Sequence, residues 1–259
     1  MAEVAEACFD TFLETEQGFE AYAEQEKVDG PQLEYIKEKY AHVQPLIFFQ
    51  DKIKKQNWNK EWEKNVDPVV VDDQCLIRAE FHKIAKKYPY EIIITPKMSF
   101  GTGHHQTTYL MIKAQLQINH RDKLVMDAGC GTAILSVMAS KKGARRVESF
   151  DIDDWSLENG NENAERNHCL NITIRKGTIR DFLWPEQFEI ILANINKNVL
   201  LDELETYSQT LARDGLLLLS GFYNQDIPDL LKEAARFGLA YQRQDIRDSW
   251  ASILLKKSP

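Results

Sequence analysis

The chain has few cysteines and none in a metal-binding or redox pair. Cys8, Cys75, Cys130 and Cys169 are scattered, with no CxxC spacing. That excludes a disulfide framework and a cysteine zinc site, and it points to a reducing, cytoplasmic setting. No apolar run approaches the roughly 18 residues that a membrane helix needs. Residues 1–20 contain no Lys or Arg but many acids, which argues against a secretory signal. Across residues 1–40 the only cations are Lys27, Lys37 and Lys39, against eleven Asp and Glu. The net charge of -8 disfavours general nucleic-acid binding, which needs a basic surface. The acidic start reads as a solvated face or as a docking surface for a basic partner.

The 259 residues, 43% of them hydrophobic, suffice for one large or two ordinary domains. Residues 1–8 read as a helical fragment. Residues 9–16 and 19–27 alternate like two strands with a turn near Gln17-Gly18. Asp29-Gly30-Pro31 starts a helix reaching Tyr40, and residues 46–49 form a further strand. That order is most of a ferredoxin-like α+β unit whose leading strand is missing, so the start is expected to be truncated. Residues 52–65 are charged and carry Trp58 and Trp62 one helical turn apart, which predicts a helical linker. Asp67-Pro68 opens the second domain. The expected division is therefore 1–51, 52–65 and 66–259.

Strands are expected at 69–71, 76–81 and 91–95, with Lys83–Lys87 a solvated basic loop. Phe100-Gly101-Thr102-Gly103-His104-His105-Gln106-Thr107-Thr108 then precedes an amphipathic helix over 109–116. Its glycines let a backbone approach a ligand, and Thr107 or Thr108 can cap the helix. Two adjacent histidines without a third ligand do not make a metal site, so no metal is expected.

Residues 123–153 read strand, glycine turn, helix, strand, acidic end. Leu124–Met126 enters the turn Asp127-Ala128-Gly129-Cys130-Gly131-Thr132-Ala133. A helix runs from Ile134 to a cap at Gly143, and the next strand ends on Asp151. Gly129 and Gly131 would admit a nucleotide-like ligand, and the Asp151 carboxylate would take its ribose hydroxyls. Afterwards β/α alternation continues: helix 154–167, strand 172–175, strand 188–193 ending at Asn194-Ile195-Asn196, helix 199–211, strand 216–220, helix 228–237. Strands 239–243 and 252–256 follow, with 245–250 between them. This is an α/β doubly wound sheet with an antiparallel C-terminal edge.

A dinucleotide fingerprint would need glycine at Ile134. The acid at Asp127 followed by GxG instead resembles the first motif of Rossmann-like methyltransferases, which bind S-adenosylmethionine. Together with the Phe100–Thr108 loop, Asp151-Ile152-Asp153 and Ala193-Asn194-Ile195, in that order, the chain resembles the ribosomal protein L11 methyltransferase family over nearly its whole length. It departs at His104, where the family usually has threonine, at Gln106 for proline, at Ala133 for glycine, and in its short N-terminus.

The resemblance implies methyl transfer from S-adenosylmethionine to lysine or N-terminal amino groups of a basic ribosomal protein, L11, by a cytoplasmic monomer. By position, Thr108, Gly129, Asp151 and Asn194 match the family's cofactor contacts. Phe100 and Gly101 belong to the loop that covers the cofactor and receives the amine. Asp127 would order the turn or reach the methionine amino group, and Thr178 lies where adenine is expected. A lysine must lose its proton to attack, and its ordinary pKa is near 10.4. The neutral Asn194 amide, with the Ile195 carbonyl, could accept a hydrogen bond from that amine. The alternatives are a nucleotide-binding module without catalysis, or a methyltransferase acting on another protein or on RNA. Glutamine methyltransferases show Asn-Pro-Pro-Tyr where this chain has Asn194-Ile195-Asn196-Lys197.

Overall fold

The computed structural model describes residues 4, 7–9, 11–15, 18–23, 27–42, 67–95 and 105–258. The linker with Trp58 and Trp62, the strand expected at 46–49, and the loop residues Phe100 and Gly101 lie outside that set. The chain divides into two compact units, residues 1–57 and 58–259.

In the first unit, β1 (Thr11–Thr15) and β2 (Gly18–Tyr22) form an antiparallel hairpin with Thr15 opposite Gly18. Helix α1 (Gly30–Tyr40) comes next. Asp29 caps it, Oδ1 accepting from the Gln32 amide at 3.1 Å, and Pro31 sits in the first turn, where its missing N–H is not needed. Leu33 and Ile36 turn inward onto Val4 and Ala7. The described elements are hairpin and helix; they neither complete nor contradict the ferredoxin-like expectation.

The second unit opens with a small mixed sheet: β3 (Val69–Val71), β4 (Cys75–Arg78) and β5 (Tyr90–Ile93). β3 and β4 are antiparallel, whereas β4 and β5 are parallel. The strand expected at 76–81 stops at Arg78. Two asparagines near the end of the helix Asp154–Arg166 tie this small sheet to the rest of the unit. Asn167 Oδ1 accepts from the Ile93 amide (2.9 Å) and Asn163 Oδ1 from the Thr95 amide (2.8 Å), so backbone donors at this end are satisfied.

Helix α2 (Gln106–Leu116) leads into β6 (Leu124–Ala128), α3 (Ile134–Lys141), β7 (Arg146–Asp151), α4 (Asp154–Arg166) and β8 (Ile172–Lys176). Then come β9 (Phe188–Asn194), α5 (Lys197–Thr210), β10 (Leu211–Tyr223), α6 (Ile227–Arg236), β11 (Leu239–Arg247) and β12 (Trp250–Lys257). The seven strands pair in the order β11-β12-β10-β9-β6-β7-β8. β8, β7, β6, β9 and β10 are mutually parallel, and β12 runs antiparallel to both β10 and β11. The expected antiparallel C-terminal edge is present as the pair β11–β12, with β12 one place in and β11 at the border. Residues 245–250 are mostly strand, joined by a two-residue turn in which Asp248 and Ser249 both have positive φ (47° and 68°). Residues 212–215, between the expected helix 199–211 and strand 216–220, form an irregularity inside β10, which loses register with β9 between Leu211 and Leu216.

Alternate strand residues enter two cores, one on each face. Val125, Ile190 and Leu218 face Met111 of α2 and Val137 and Met138 of α3. Met126, Ile191 and Leu219 face Leu200 and Leu204 of α5 and Leu230 of α6. Each such buried aliphatic side chain contributes about 1.5–3 kcal/mol, so the sheet is the rigid element on which the loops are mounted. Between β8 and β9 there is a single 3-10 turn, Ile179–Asp181, where a doubly wound fold would carry a helix. Phe182 and Trp184 cover the sheet there. A cavity of about 400 Å³ beside them, lined by Arg146, Glu148, Arg175 and Trp184, also reaches Leu124 and Phe188, the first residues of β6 and β9. Among the described residues no helix is long and apolar enough to cross a membrane.

Candidate functional site

At the opposite end of β6, the chain makes its glycine turn. Gly129 (φ 64°) and Gly131 (φ 51°) take left-handed conformations, and so does Ala133 (φ 58°), at the position where a third glycine is expected. Its methyl group is accommodated because Gly160 of α4 faces it: a Cβ on Gly160 would lie 3.3 Å from the Ala133 Cβ. A small residue one helix away thus admits alanine at the turn.

Asp151, at the end of β7, holds this turn. Its Oδ2 accepts from the Gly131 amide at 2.8 Å and its Oδ1 from the Asp153 amide at 3.0 Å. The cap of α4 is Asp153, which accepts from the Trp155 amide at 2.9 Å. Asp151 is thereby released from capping and keeps free lone pairs at a half-buried position.

Asp127 orders the turn from below. Fully buried, its Oδ2 accepts from both the amide (3.0 Å) and the hydroxyl (2.5 Å) of Ser136, whose Oγ also meets Ser149 Oγ at 2.8 Å. Burial raises the Asp127 pKa to about 7, and the Ser136 hydrogen bonds only partly oppose it. Cys130 is likewise buried, and burial pushes its thiol well above the ordinary range, so it is no nucleophile.

Helix α2 begins three residues before the expected start. Its cap is His105 rather than Thr107 or Thr108: Nδ1 accepts from the Thr107 amide at 3.3 Å and lies 2.7 Å from Thr107 Oγ1. The ring packs edge-on against Trp250, 4.7 Å between centroids, and burial lowers its pKa, favouring the neutral imidazole. Trp250 in turn pairs with Tyr223 at the end of β10, so α2 opens at the same end of the sheet as the glycine turn. Thr178 follows β8 at this same end of the sheet, one residue after Gly177, whose amide donates to the Asp151 carbonyl at 2.9 Å, and its hydroxyl donates to Asp181 at 2.8 Å. Among the described residues no group of three or more His, Cys, Asp or Glu could hold a metal ion.

Asn194 ends β9, opposite Ser220 of β10. The next residue, Ile195, is squeezed between two glycines. A Cβ on Gly129 would lie 2.4 Å from Ile195 Cγ2, and one on Gly221 would lie 2.1 Å from the Ile195 carbonyl oxygen. Gly221 (φ 97°) stands where the β10–β12 register slips. Three buried side-chain oxygens at this end of the sheet have no partner among the described residues: Asp127 Oδ1, Asn194 Oδ1 and Thr108 Oγ1. Leaving such an atom unsatisfied costs about 1–3 kcal/mol, so the arrangement suits a ligand that brings hydrogen-bond donors.

Residues 3–258 match the family described as Ribosomal protein L11 methyltransferase. The chain belongs to the ribosomal protein L11 methyltransferase family. It is 40% identical over 254 residues to a ribosomal protein L11 methyltransferase of Porphyromonas gingivalis, covering 97% of this chain and 88% of that one. It is 38% identical over 247 residues to one of Phocaeicola vulgatus, covering 95% and 88%. Among solved structures it resembles a ribosomal protein L11 methylase of Lactobacillus delbrueckii subsp. bulgaricus, with a TM-score of 0.69 and 25% identity over 75% of this chain and all of the other. A methyltransferase of Pyrococcus furiosus shares the fold, with a TM-score of 0.56 over 65% of this chain and 90% of the other.

For this member of the L11 methyltransferase family, the structure gathers Thr108, Asp127, Gly129, Gly131, Asp151 and Asn194 at one end of the sheet, while Phe100 and Gly101 lie outside the described residues. It also adds Ser136 and Gly221, which the sequence did not mark. Ser136 reaches Asp127 across nine residues, and Gly221 meets Ile195 across twenty-six. An isolated glycine in an apolar run was the one available signal.

Proposed function

We propose that this chain transfers methyl groups from S-adenosylmethionine to lysine side-chain or N-terminal amino groups of ribosomal protein L11. Residues 66–259 form the methyltransferase domain, 52–65 the linker, and 1–51 a ferredoxin-like domain whose acidic surface suits a basic protein. It works in the cytoplasm as a monomer and without a metal. The observation that carries this reading is the partnerless, buried amide oxygen of Asn194 beside the glycine turn.

The site's residues fit the cofactor. Gly129 and Gly131 let the main chain approach it, and Asp151 accepts from its ribose hydroxyls by charge-assisted hydrogen bonds. Ile152, 71% exposed beside Asp151, offers an apolar surface to the adenine. Asp127 Oδ1 and Thr108 Oγ1 would hold its methionine portion, and family resemblance assigns Phe100 and Gly101 to the loop that would cover it. When bound, the cofactor supplies an electrophilic methyl group on a positively charged sulfur.

What remains is to hold a neutral amine in line. Keeping a lysine uncharged at pH 7, about three units below its ordinary pKa, costs roughly 4–5 kcal/mol. Desolvation and a nearby positive charge both favour the neutral form. Asn194 Oδ1 accepts one N–H of the amine, with the Ile195 carbonyl beside it, and this aims the nitrogen lone pair at the methyl group. Neither acceptor is charged, so neither holds the amine in its ammonium form.

Mass spectrometry of ribosomal proteins incubated with the chain and S-adenosylmethionine tests the proposal. Whole-methyl increments on L11 are expected. An unmodified L11, or methyl groups on ribosomal RNA instead, would overturn it.

A further inference from the structure

The segment from Asn194 to Lys197 is held at both ends. At one end Ile195 lies between Gly129 and Gly221. At the other, Lys197 opens α5 and sends its Nζ to Asp226 Oδ1 at 2.8 Å and to Asp229 Oδ2 at 2.7 Å. Asp226 is the hub of this second contact. Its other oxygen accepts from the Tyr223 amide at 3.0 Å, at the end of β10. One carboxylate therefore joins the β9–α5 turn to the β10–α6 turn. Its side chain is only 17% exposed, against 64% for Asp229, so the Asp226 contact is the less screened of the two.

Lys197 is also a poor choice for the helix it begins. The first turn of α5 carries no acidic residue, and a cation there opposes the helix dipole. Helix stability alone favours Asp or Glu at that position. The two carboxylates keep the lysine protonated by raising its pKa, so it is not a proton acceptor.

We infer that Lys197 is a positioning residue for methyl transfer: its ion pair with Asp226 fixes the Asn194–Lys197 segment so that the Asn194 oxygen meets the substrate nitrogen. This rests on Asn194 being the amine acceptor, as proposed above. A displacement of about 1 Å at a reacting centre can cost on the order of a hundredfold in rate.

The test uses the full chain with ribosomal protein L11, following single turnovers at saturating S-adenosylmethionine by mass spectrometry. Lys197→Met should lower the rate about ten- to hundredfold, leave cofactor affinity by calorimetry within about twofold, and be largely rescued by Lys197→Arg. Asp226→Asn should reproduce the loss, which covers the case of a poorly folding Lys197→Met. In an Asn194→Ala background, Lys197→Met should add nothing. A full Lys197→Met penalty in that background, or a wild-type rate for Lys197→Met and Asp226→Asn while Asn194→Ala is impaired, overturns the inference alone. A wild-type rate for Asn194→Ala overturns the acceptor assignment and the inference with it.

Discussion

Gly221 and Ile195 touch backbone to backbone, so closely that a Cβ at 221 would stand 2.1 Å from the Ile195 carbonyl oxygen and 2.9 Å from its nitrogen. Neither can yield without moving the strand end that carries Asn194. Gly221→Ala should therefore lower methyl transfer on the order of a hundredfold, with cofactor affinity changed only a few-fold. Gly238→Ala is the matched control. It has a similarly positive φ of 70° and open space around it, so it should cost about 1 kcal/mol of stability and keep turnover. Rates and thermal melts of the two variants side by side would decide this, and equal turnover in both would refute the packing argument.

Asp151 both fixes the turn, through the Gly131 amide, and presents a carboxylate to the proposed ribose. Asp151→Ala should abolish measurable binding of S-adenosylmethionine in calorimetry, and near-normal affinity would remove the basis for the cofactor site.

Asn194→Ala should separate binding from chemistry. Cofactor affinity should stay within a few-fold, while turnover falls by two orders of magnitude or so. Lost affinity with normal turnover at saturating cofactor would assign Asn194 to cofactor holding instead.

The buried Asp127 predicts two pH effects. Its folded-state pKa of about 7 lies above the ordinary 3.8, so between those values the folded chain binds more protons than the unfolded one. Its contribution to stability is then present at acid pH and is lost as pH rises toward 7. A positively charged ligand beside Oδ1 favours the ionised form, so cofactor binding should tighten as pH rises through neutrality and release a proton. Calorimetry in buffers of different ionisation enthalpy would detect that proton, and Asp127→Asn should eliminate both effects.

Residues 123–153 were legible because local chemistry fixes them: an apolar strand, glycines at the turn, Gly143 at the helix end. The start of α1 at Asp29-Gly30-Pro31 was legible too, with the structure selecting Asp29 over Gly30 as the cap. His105 displaced the threonines as a cap because its ring nitrogen reaches the amide two residues on, an arrangement propensity does not favour. The place of β12 was illegible for a different reason. Neighbouring strands in sequence rightly suggest an edge hairpin but do not say which of the two pairs with β10, and only the crossover through α6 makes room for β12 between β10 and β11. Asp127 left two roles open because Ser136 reaches it only after α3 folds back over β6. Contacts such as Gly221 with Ile195 and Lys197 with Asp226 join separate β/α units, and no local pattern encodes them.

The insertion of β12 has a consequence for how the molecule is made. A ribosome delivers β10, α6 and β11 before it delivers residues 250–257, yet β11 has no place in the sheet until that stretch arrives. A nascent chain halted before Trp250 would hold β10 with an open edge and Tyr223 without its cross-strand neighbour. Domains fold as units during synthesis, and unpaired strand edges are prone to misassembly. Closure of this sheet, and with it the rim beside Asn194, therefore awaits the emergence of residues 250–257 from the exit tunnel.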